Sequence, residues 1–193
     1  MEIDIIEPGY YYHIYNRGIN RTTIFSEDIH YYRFITLCKK YLNQKMDILA
    51  YCLLPNHFHF LVYIKDEYPD RVPTPCQGNF SLPVSHLCNS YAQWYNKTTG
   101  RTGGLFQRPF KRKRISDEKY LKQVIYYIHR NPMHHNLAER PENWLYSSYS
   151  SVFNGQSALT DSTQLFEWFD NKENFIDYHK MQFAIDIEMF ESE

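Results

Sequence analysis

The sequence predicts an α+β fold in which an antiparallel four-stranded sheet carries two helices on one face. Three observations lead there. Short runs of β-forming residues alternate with longer segments of helical periodicity. Their order is strand, helix, strand, strand, helix, strand, the ferredoxin-like split βαβ unit. Of the 193 residues, 43% are hydrophobic and 22% charged, the balance of an ordinary globular core and not of a disordered chain.

The first strand covers residues 10–16, rich in tyrosine, and Asn16-Arg17-Gly18 turns it. Ser26 caps a helix that opens on Glu27 and Asp28, with Tyr31, Phe34, Ile35, Cys38, Tyr41 and Leu42 on its apolar face. Residues 47–54 and 57–64 are two β-rich runs separated only by Pro55-Asn56, so they pair as antiparallel neighbours. Residues 66–80 form a loop. Val84, Leu87, Cys88, Tyr91 and Tyr95 mark the second helix, closed by Gly100, Gly103 and Gly104, and residues 110–115 form a basic fourth strand. A third helix starts at Ser116-Asp117-Glu118 and is expected to end near Asn131-Pro132, because the residue before proline is pushed out of helical geometry. Two short helices are expected around residues 165–169 and 175–183. Residues 1–156 are thus expected to form one domain, with 157–193 an acidic helical extension packed on or beside it.

The formal net charge of −1 hides a polarity. Residues 161–193 hold nine Asp or Glu against two Lys, leaving the rest of the chain net positive, and residues 101–114 contain six basic residues and no acid. Such a field attracts phosphate. No run of about 18 apolar residues and no signal-peptide pattern appears, so a cytoplasmic protein without a membrane span is expected. Cys38, Cys52, Cys76 and Cys88 lack CxxC spacing, which argues for reduced thiols and not a structural zinc site.

His57 and His59 alternate with Phe58 on a strand, so both imidazoles emerge on one face, where they can serve as adjacent ligands for a divalent ion. A histidine-triad hydrolase would require a third histidine where Leu61 stands. On the third helix, Leu121, Val124, Ile125 and Ile128 define the core face. At about 100° per residue, Tyr127 and Asn131 fall on one flank of it, about 110° and 70° from its middle. Tyr126 lies about 150° away and is expected to point to solvent. The plain alternative is an amphipathic helix with two polar groups on its rim.

Several blocks, in order, resemble the single-tyrosine HUH transposases related to the IS200 elements, in particular the REP-associated tyrosine transposases. They are Tyr12-His13-Ile14-Tyr15-Asn16-Arg17-Gly18, Tyr51-Cys52-Leu53-Leu54-Pro55-Asn56-His57-Phe58-His59, Gly104-Leu105-Phe106-Gln107-Arg108-Pro109-Phe110-Lys111, Tyr127-Ile128-His129-Arg130-Asn131-Pro132 and Ser147-Ser148-Tyr149. The similarity covers about residues 8–155, and Met133-His134-His135-Asn136-Leu137 departs from the usual pattern. The resemblance implies that His57, His59 and Asn131 bind Mg²⁺ or Mn²⁺ and that Tyr127 is the nucleophile. It implies strand cleavage and rejoining at or near hairpins in single-stranded DNA through a 5′-phosphotyrosine. Arg17 and Arg21, with Lys111, Arg112, Lys113 and Arg114, would then cradle the DNA. Whether the chain acts as a homodimer stays open. Two rivals remain at this point: a ferredoxin-like module that binds hairpins without cutting, and a metal-dependent phosphodiesterase that uses water and dispenses with Tyr127.

Overall fold

The structure, a computed structural model, describes residues 4–66, 79–154, 159–160, 162–181 and 190. Its elements are β1 (Tyr11–Arg17), α1 (Asp28–Tyr41), β2 (Met46–Leu54), β3 (His57–Ile64), α2 (Leu82–Thr99), β4 (Lys111–Arg114), α3 (Glu118–His134), α4 (Ser148–Asn154), α5 (Ser162–Glu167) and α6 (Lys172–Lys180). The sheet order is β2-β3-β1-β4 and every pairing is antiparallel. This is the expected α+β, ferredoxin-like arrangement. No helix among the described residues is long and apolar enough to cross a membrane.

Strand alternation divides the interior into two cores. Tyr12 and Ile14 of β1 and Phe58, Phe60, Val62 and Ile64 of β3 pack with α1 and α2. Leu61 of β3 and Ala50, Cys52 and Leu54 of β2 pack on the other face with α3 and the C-terminal segments. A bulge between Ile48 and Ala50 shifts the register there. Leu49 and Ala50 consequently both enter the second core, and the alternation resumes beyond them.

Local chemistry explains the ends of the helices. Glu27, not Ser26, is the N-cap of α1: its side chain accepts the amide of His30, whose ring nitrogen accepts the Glu27 amide in return. Asp117 caps α3 by accepting the Tyr120 amide at 2.8 Å. α3 does not stop before Pro132. It continues to His134, and the His135 amide still donates to the Asn131 carbonyl at 3.2 Å. Proline loses its own amide bond and crowds the carbonyl four residues back, and the burial of Asn131 and Pro132 offsets that cost. The tail helices are offset from expectation, ending at Glu167 and Lys180, and residues 182–183 of the expected second helix lie outside the described residues.

Tyr126 corrects a further expectation. It points away from the sheet, yet it is only 2% exposed because α6 covers it. Its hydroxyl donates to the Met181 carbonyl at 2.8 Å, and its ring lies against Tyr178 and His179. The angle of Tyr126 on α3 sets the direction of its side chain, and not what packs there.

A buried hydrogen-bond chain fastens α6 to the sheet. Nδ1–H of His179 donates to the Phe175 carbonyl at 2.8 Å, so its Nε2 accepts from Nδ1–H of His129 at 2.9 Å. Nε2 of His129 then accepts from the Ser148 hydroxyl at 2.7 Å, and Ser148 accepts the Tyr51 amide at 2.9 Å. The chain closes only with His179 neutral, because its Nε2 must accept. Burial, reinforced by the neighbouring imidazole, holds His129 well below the usual histidine value, and burial brings His179 down to about 4. Cys38, Cys52 and Cys88 are buried free thiols whose pKa values burial raises, Cys88 to about 12, which keeps them unreactive; Cys76 lies outside the described residues.

The histidine chain sets a pH dependence. Unfolded imidazoles take up protons near 6.5, whereas His179 resists protonation down to about 4 when folded. The unfolded state therefore binds more protons, and stability is lost as pH falls through that window. Denaturant unfolding at about pH 7.5 and about pH 5 should differ by roughly 1–2 kcal/mol on account of His179. The difference should shrink in His179→Gln. In the first core, Phe58→Ala should cost about 3–5 kcal/mol by the same measurement.

Candidate active site

The turn between β2 and β3 sets the position of the first histidine. Pro55 accepts the amides of Ile24 and Phe25 at 2.7 and 2.9 Å, and Asn56 accepts the Gly18 amide at 2.8 Å. The turn after β1 is thereby bound to the start of β3. Gly18 is required there, because a Cβ would run into the Thr22 carbonyl. Asn20 and Arg21 follow with positive φ of 53° and 57°, a conformation that costs energy for residues other than glycine.

Asn56 then orients His57. Its Nδ2 reaches the Arg21 carbonyl at 3.5 Å, which leaves Oδ1 facing Nδ1 of His57 at 2.6 Å. An amide oxygen only accepts, so Nδ1 of His57 carries the proton and Nε2 carries the lone pair. That lone pair faces Oδ1 of Asn131 across 3.3 Å. Nδ2 of Asn131 is buried and makes no hydrogen bond among the described residues. The amide thus turns an acceptor toward another acceptor while its donor goes unused, an arrangement that a cation between the two would relieve. Two ligands of one octahedral ion with bonds of about 2.1 Å stand about 3 Å apart, close to this separation.

His59 emerges on the same face, with its ring centroid 5.1 Å from that of His57. β1 supplies a third imidazole: Nε2 of His13 lies 3.0 Å from Nδ1 of His59. With the proton of that bond on His59, its Nε2 carries a lone pair, as Nε2 of His57 does. Tyr15 stacks on both His13 and His59, at 4.8 and 5.5 Å. Among the described residues no group of three His, Cys, Asp or Glu side chains is placed to hold a metal. An ion bound here would rest on His57, His59 and the Asn131 oxygen, a mixed nitrogen and oxygen set suited to Mg²⁺ or Mn²⁺.

Tyr127 comes from α3 onto this cluster. Its ring stands perpendicular to His59 at 5.4 Å and nearly so to His13 at 6.0 Å. It is fully buried, and Phe190 stacks on it at 4.6 Å. His134 and His135, on the last turn of α3 and just past it, are exposed at the rim, 6.4 Å from Tyr127 and 4.9 Å from His57.

The predicted basic cradle divides across the sheet. Lys111 pairs with Tyr15 and Lys113 with His13, so both lie on the histidine face, as does Arg17 opposite His57. Arg112 and Arg114 take the opposite face. There the Arg112 guanidinium donates to the Asp4 carbonyl, and Arg114 pairs with Glu7 at 3.0 Å and lies 3.4 Å from the Tyr10 ring centre. Arg21 sits in the turn beside Asn56. The structure therefore joins His57, His59, Asn131 and Tyr127 with Arg17, Lys111 and Lys113, and places Arg112 and Arg114 elsewhere. Sequence reasoning did not single out His13, Tyr15, Asn56 or Phe190. The first two share the parity of a strand face, a signal that becomes usable only once β1 is known to pair with β3.

The family profile described as Transposase IS200 like matches residues 8–131. The chain belongs to this family. A curated relative from Haemophilus influenzae, assigned by name to the REP-associated tyrosine transposases, is 30% identical over 106 residues, 53% of this chain and 58% of the relative. The chain thus matches less than two thirds of that relative's length. A solved structure of a REP-associated tyrosine transposase bound to a REP hairpin superposes with a TM-score of 0.59 at 16% identity, covering 83% of this chain and 90% of that one. At that identity the likeness shows a shared fold. His57, His59, Tyr127 and Asn131 all lie within the matched span, Asn131 at its last position.

A prediction follows from the orientation of His57. Asn56→Ala removes the acceptor at Nδ1, and ¹⁵N imidazole spectra should show His57 losing its preference for the Nδ1–H tautomer while the protein stays folded.

Proposed function

We propose that this protein cleaves and rejoins single-stranded DNA at or near hairpins, with Tyr127 as nucleophile and Mg²⁺ or Mn²⁺ held by His57, His59 and Asn131. The observation that carries the reading is the convergence of one lone pair of His57, the Asn131 oxygen and the Tyr127 ring on one face of the sheet. A metal bound there supplies charge neutralisation at a scissile phosphate.

The chain's own residues do the rest. Tyr127 attacks phosphorus through its phenolic oxygen, and the bond to the 3′-oxygen of the neighbouring nucleotide breaks. A proton leaves the phenol and one is taken up by the departing 3′-hydroxyl. The resulting 5′-phosphotyrosine keeps the phosphodiester's energy, so a second 3′-hydroxyl can displace Tyr127 and reseal the strand. The imidazole of His13, bonded to His59 and edge-on to Tyr127, fixes the ring that faces the nucleophile. Asn56 holds His57 in the tautomer whose lone pair faces Asn131. Arg17, Lys111 and Lys113 place positive charge on the same face, where the phosphate backbone would lie.

The test is incubation of the protein with end-labelled hairpin DNA carrying unpaired flanks, with Mg²⁺ or Mn²⁺, followed by denaturing electrophoresis. The wild type should give a covalent adduct. Tyr127→Phe should bind but form none, and His57→Ala or His59→Ala should lose cleavage by at least about 100-fold. Tyr126→Phe should keep the adduct, at a stability cost of about 1 kcal/mol for the hydrogen bond to Met181. Metal-dependent cutting by Tyr127→Phe would refute the phosphotyrosine and point to water. Binding without cutting by the wild type would favour the non-cleaving module. Hairpin affinity should also fall linearly in log–log form with added salt.

A further inference from the structure

A cavity of about 340 Å³ lies at the end of the sheet away from His57 and Asn131, lined by Tyr11, Asp47, Leu49, Tyr63, Glu167 and Trp168. Strand pairing builds its floor. Tyr63 of β3 is flanked across the sheet by Tyr11 of β1 and Asp47 of β2, so three adjacent strands contribute one row of side chains. Cross-strand partners point to the same face. By the parity of β3 that is the histidine face, but Tyr63 stands four residues beyond His59, about 13 Å along the strand. The cavity is thus separate from the active site. Glu167 and Trp168, at and just past the end of α5, supply the other wall.

The three rings stand at angles to one another. Tyr11 and Tyr63 have centroids 4.9 Å apart and planes inclined by 44°, and Trp168 meets Tyr11 at 5.5 Å and 89°. All three are half-buried, so part of each ring borders the cavity. An aromatic face carries partial negative charge, and rings that border a common space present that charge to whatever enters it. Two carboxylates add to it. Asp47 gives one oxygen to Lys65 at 3.1 Å, while Glu167, exposed at the rim, pairs with no cation among the described residues. Tyr11 senses the result: burial first, then Tyr63, Glu167 and Asp47, raises its hydroxyl above the usual tyrosine value.

Other rings of this protein are supplied with cations from within. Tyr10, Trp94, Phe110 and Tyr126 each have an arginine of the same chain over the ring. Among the described residues no lysine or arginine lines this cavity or lies over Tyr11, Tyr63 or Trp168. Aromatic faces and an uncompensated carboxylate therefore stand together, and that combination selects a cation from outside. The lining also decides which cation. A primary ammonium is strongly hydrated and needs acceptors for three donors, whereas rings dominate this wall and Asp47 is shared with Lys65. A quaternary ammonium has a diffuse charge and no donors to satisfy, so it loses less on leaving water.

We propose that this cavity binds a small free quaternary ammonium ion, with its methyl groups against Tyr11, Tyr63 and Trp168 and its charge balanced by Glu167 and Asp47. The site does not depend on the proposed DNA chemistry.

Choline added to the full chain tests it, by titration calorimetry and by the indole ¹⁵N–¹H signal of Trp168, assigned with Trp168→Phe. The wild type should bind with a Kd of about 1–10 mM, in keeping with the few atoms in contact. The carbon isostere of choline, in which a quaternary carbon replaces the nitrogen, keeps the shape without the charge and should bind at least about 10-fold more weakly. Ethanolamine, the unmethylated amine, should also bind more weakly than choline. Glu167→Gln lies on the surface and leaves the wall in place, and affinity should fall by about 3- to 10-fold. Tyr63→Leu and Trp168→Leu should lose at least about 10-fold, with circular dichroism confirming the fold. Equal binding of the neutral isostere would make this a plain apolar pocket, and tighter binding of ethanolamine would make it an amine site; either overturns the proposal. So does a wild type without saturable binding at about 50 mM choline. A peptide carrying trimethyllysine that binds more than about 10-fold tighter than choline would place the cation on a protein side chain and overturn the free ion.

Discussion

The two-residue repeat of β3 is the constraint on which everything else depends. Phe58, Phe60 and Val62 must face α1 and α2 to complete the first core, and that requirement turns His57 and His59 to the opposite face together. A slip of one residue would bury two imidazoles among aromatic rings and turn two phenylalanines toward Tyr127. The hydrophobic effect that secures the register therefore also aims the histidines. The site needs no separate device to hold them side by side.

The second organising influence is electrostatic, and it is uneven. β4 carries four consecutive basic residues, but the pleat sends Lys111 and Lys113 to the histidine face and Arg112 and Arg114 to the other. The latter two meet Asp4, Glu7 and Tyr10, so they hold the N-terminal segment against the sheet edge. A run of like charges thereby serves two purposes. The N-terminal acids relieve repulsion within the run, and the two lysines keep their charge on the face where phosphate is expected.

Much of this was legible in the sequence because period and punctuation are local properties. The hairpin at Pro55-Asn56, the parity of His57 and His59, and the shared flank of Tyr127 and Asn131 all follow from spacing alone. What escaped depended on contacts between distant segments. Tyr126 looks solvent-exposed until α6 is laid over it. His13 has no distinction until β1 is paired with β3 at His13 and Leu61. Asn56 resembles an ordinary turn residue until the Arg21 carbonyl takes its amide nitrogen and thereby decides which end faces His57. The helix stop at Pro132 failed for a different reason. A local preference of one residue was outweighed by the burial of Asn131 and Pro132.

The division of the interior into two cores has a consequence for how such a chain ages over generations. Foldability is concentrated in the aromatic layer under α1 and α2, where Phe25, Phe34, Phe58 and Tyr91 contact one another. The histidine and tyrosine cluster lies on the opposite face of the sheet. A lineage can accordingly lose a histidine or the tyrosine without losing the layer that makes it fold, and its basic residues persist with the scaffold. Descendants without those side chains should survive as folded proteins, available for other uses, instead of disappearing as aggregates.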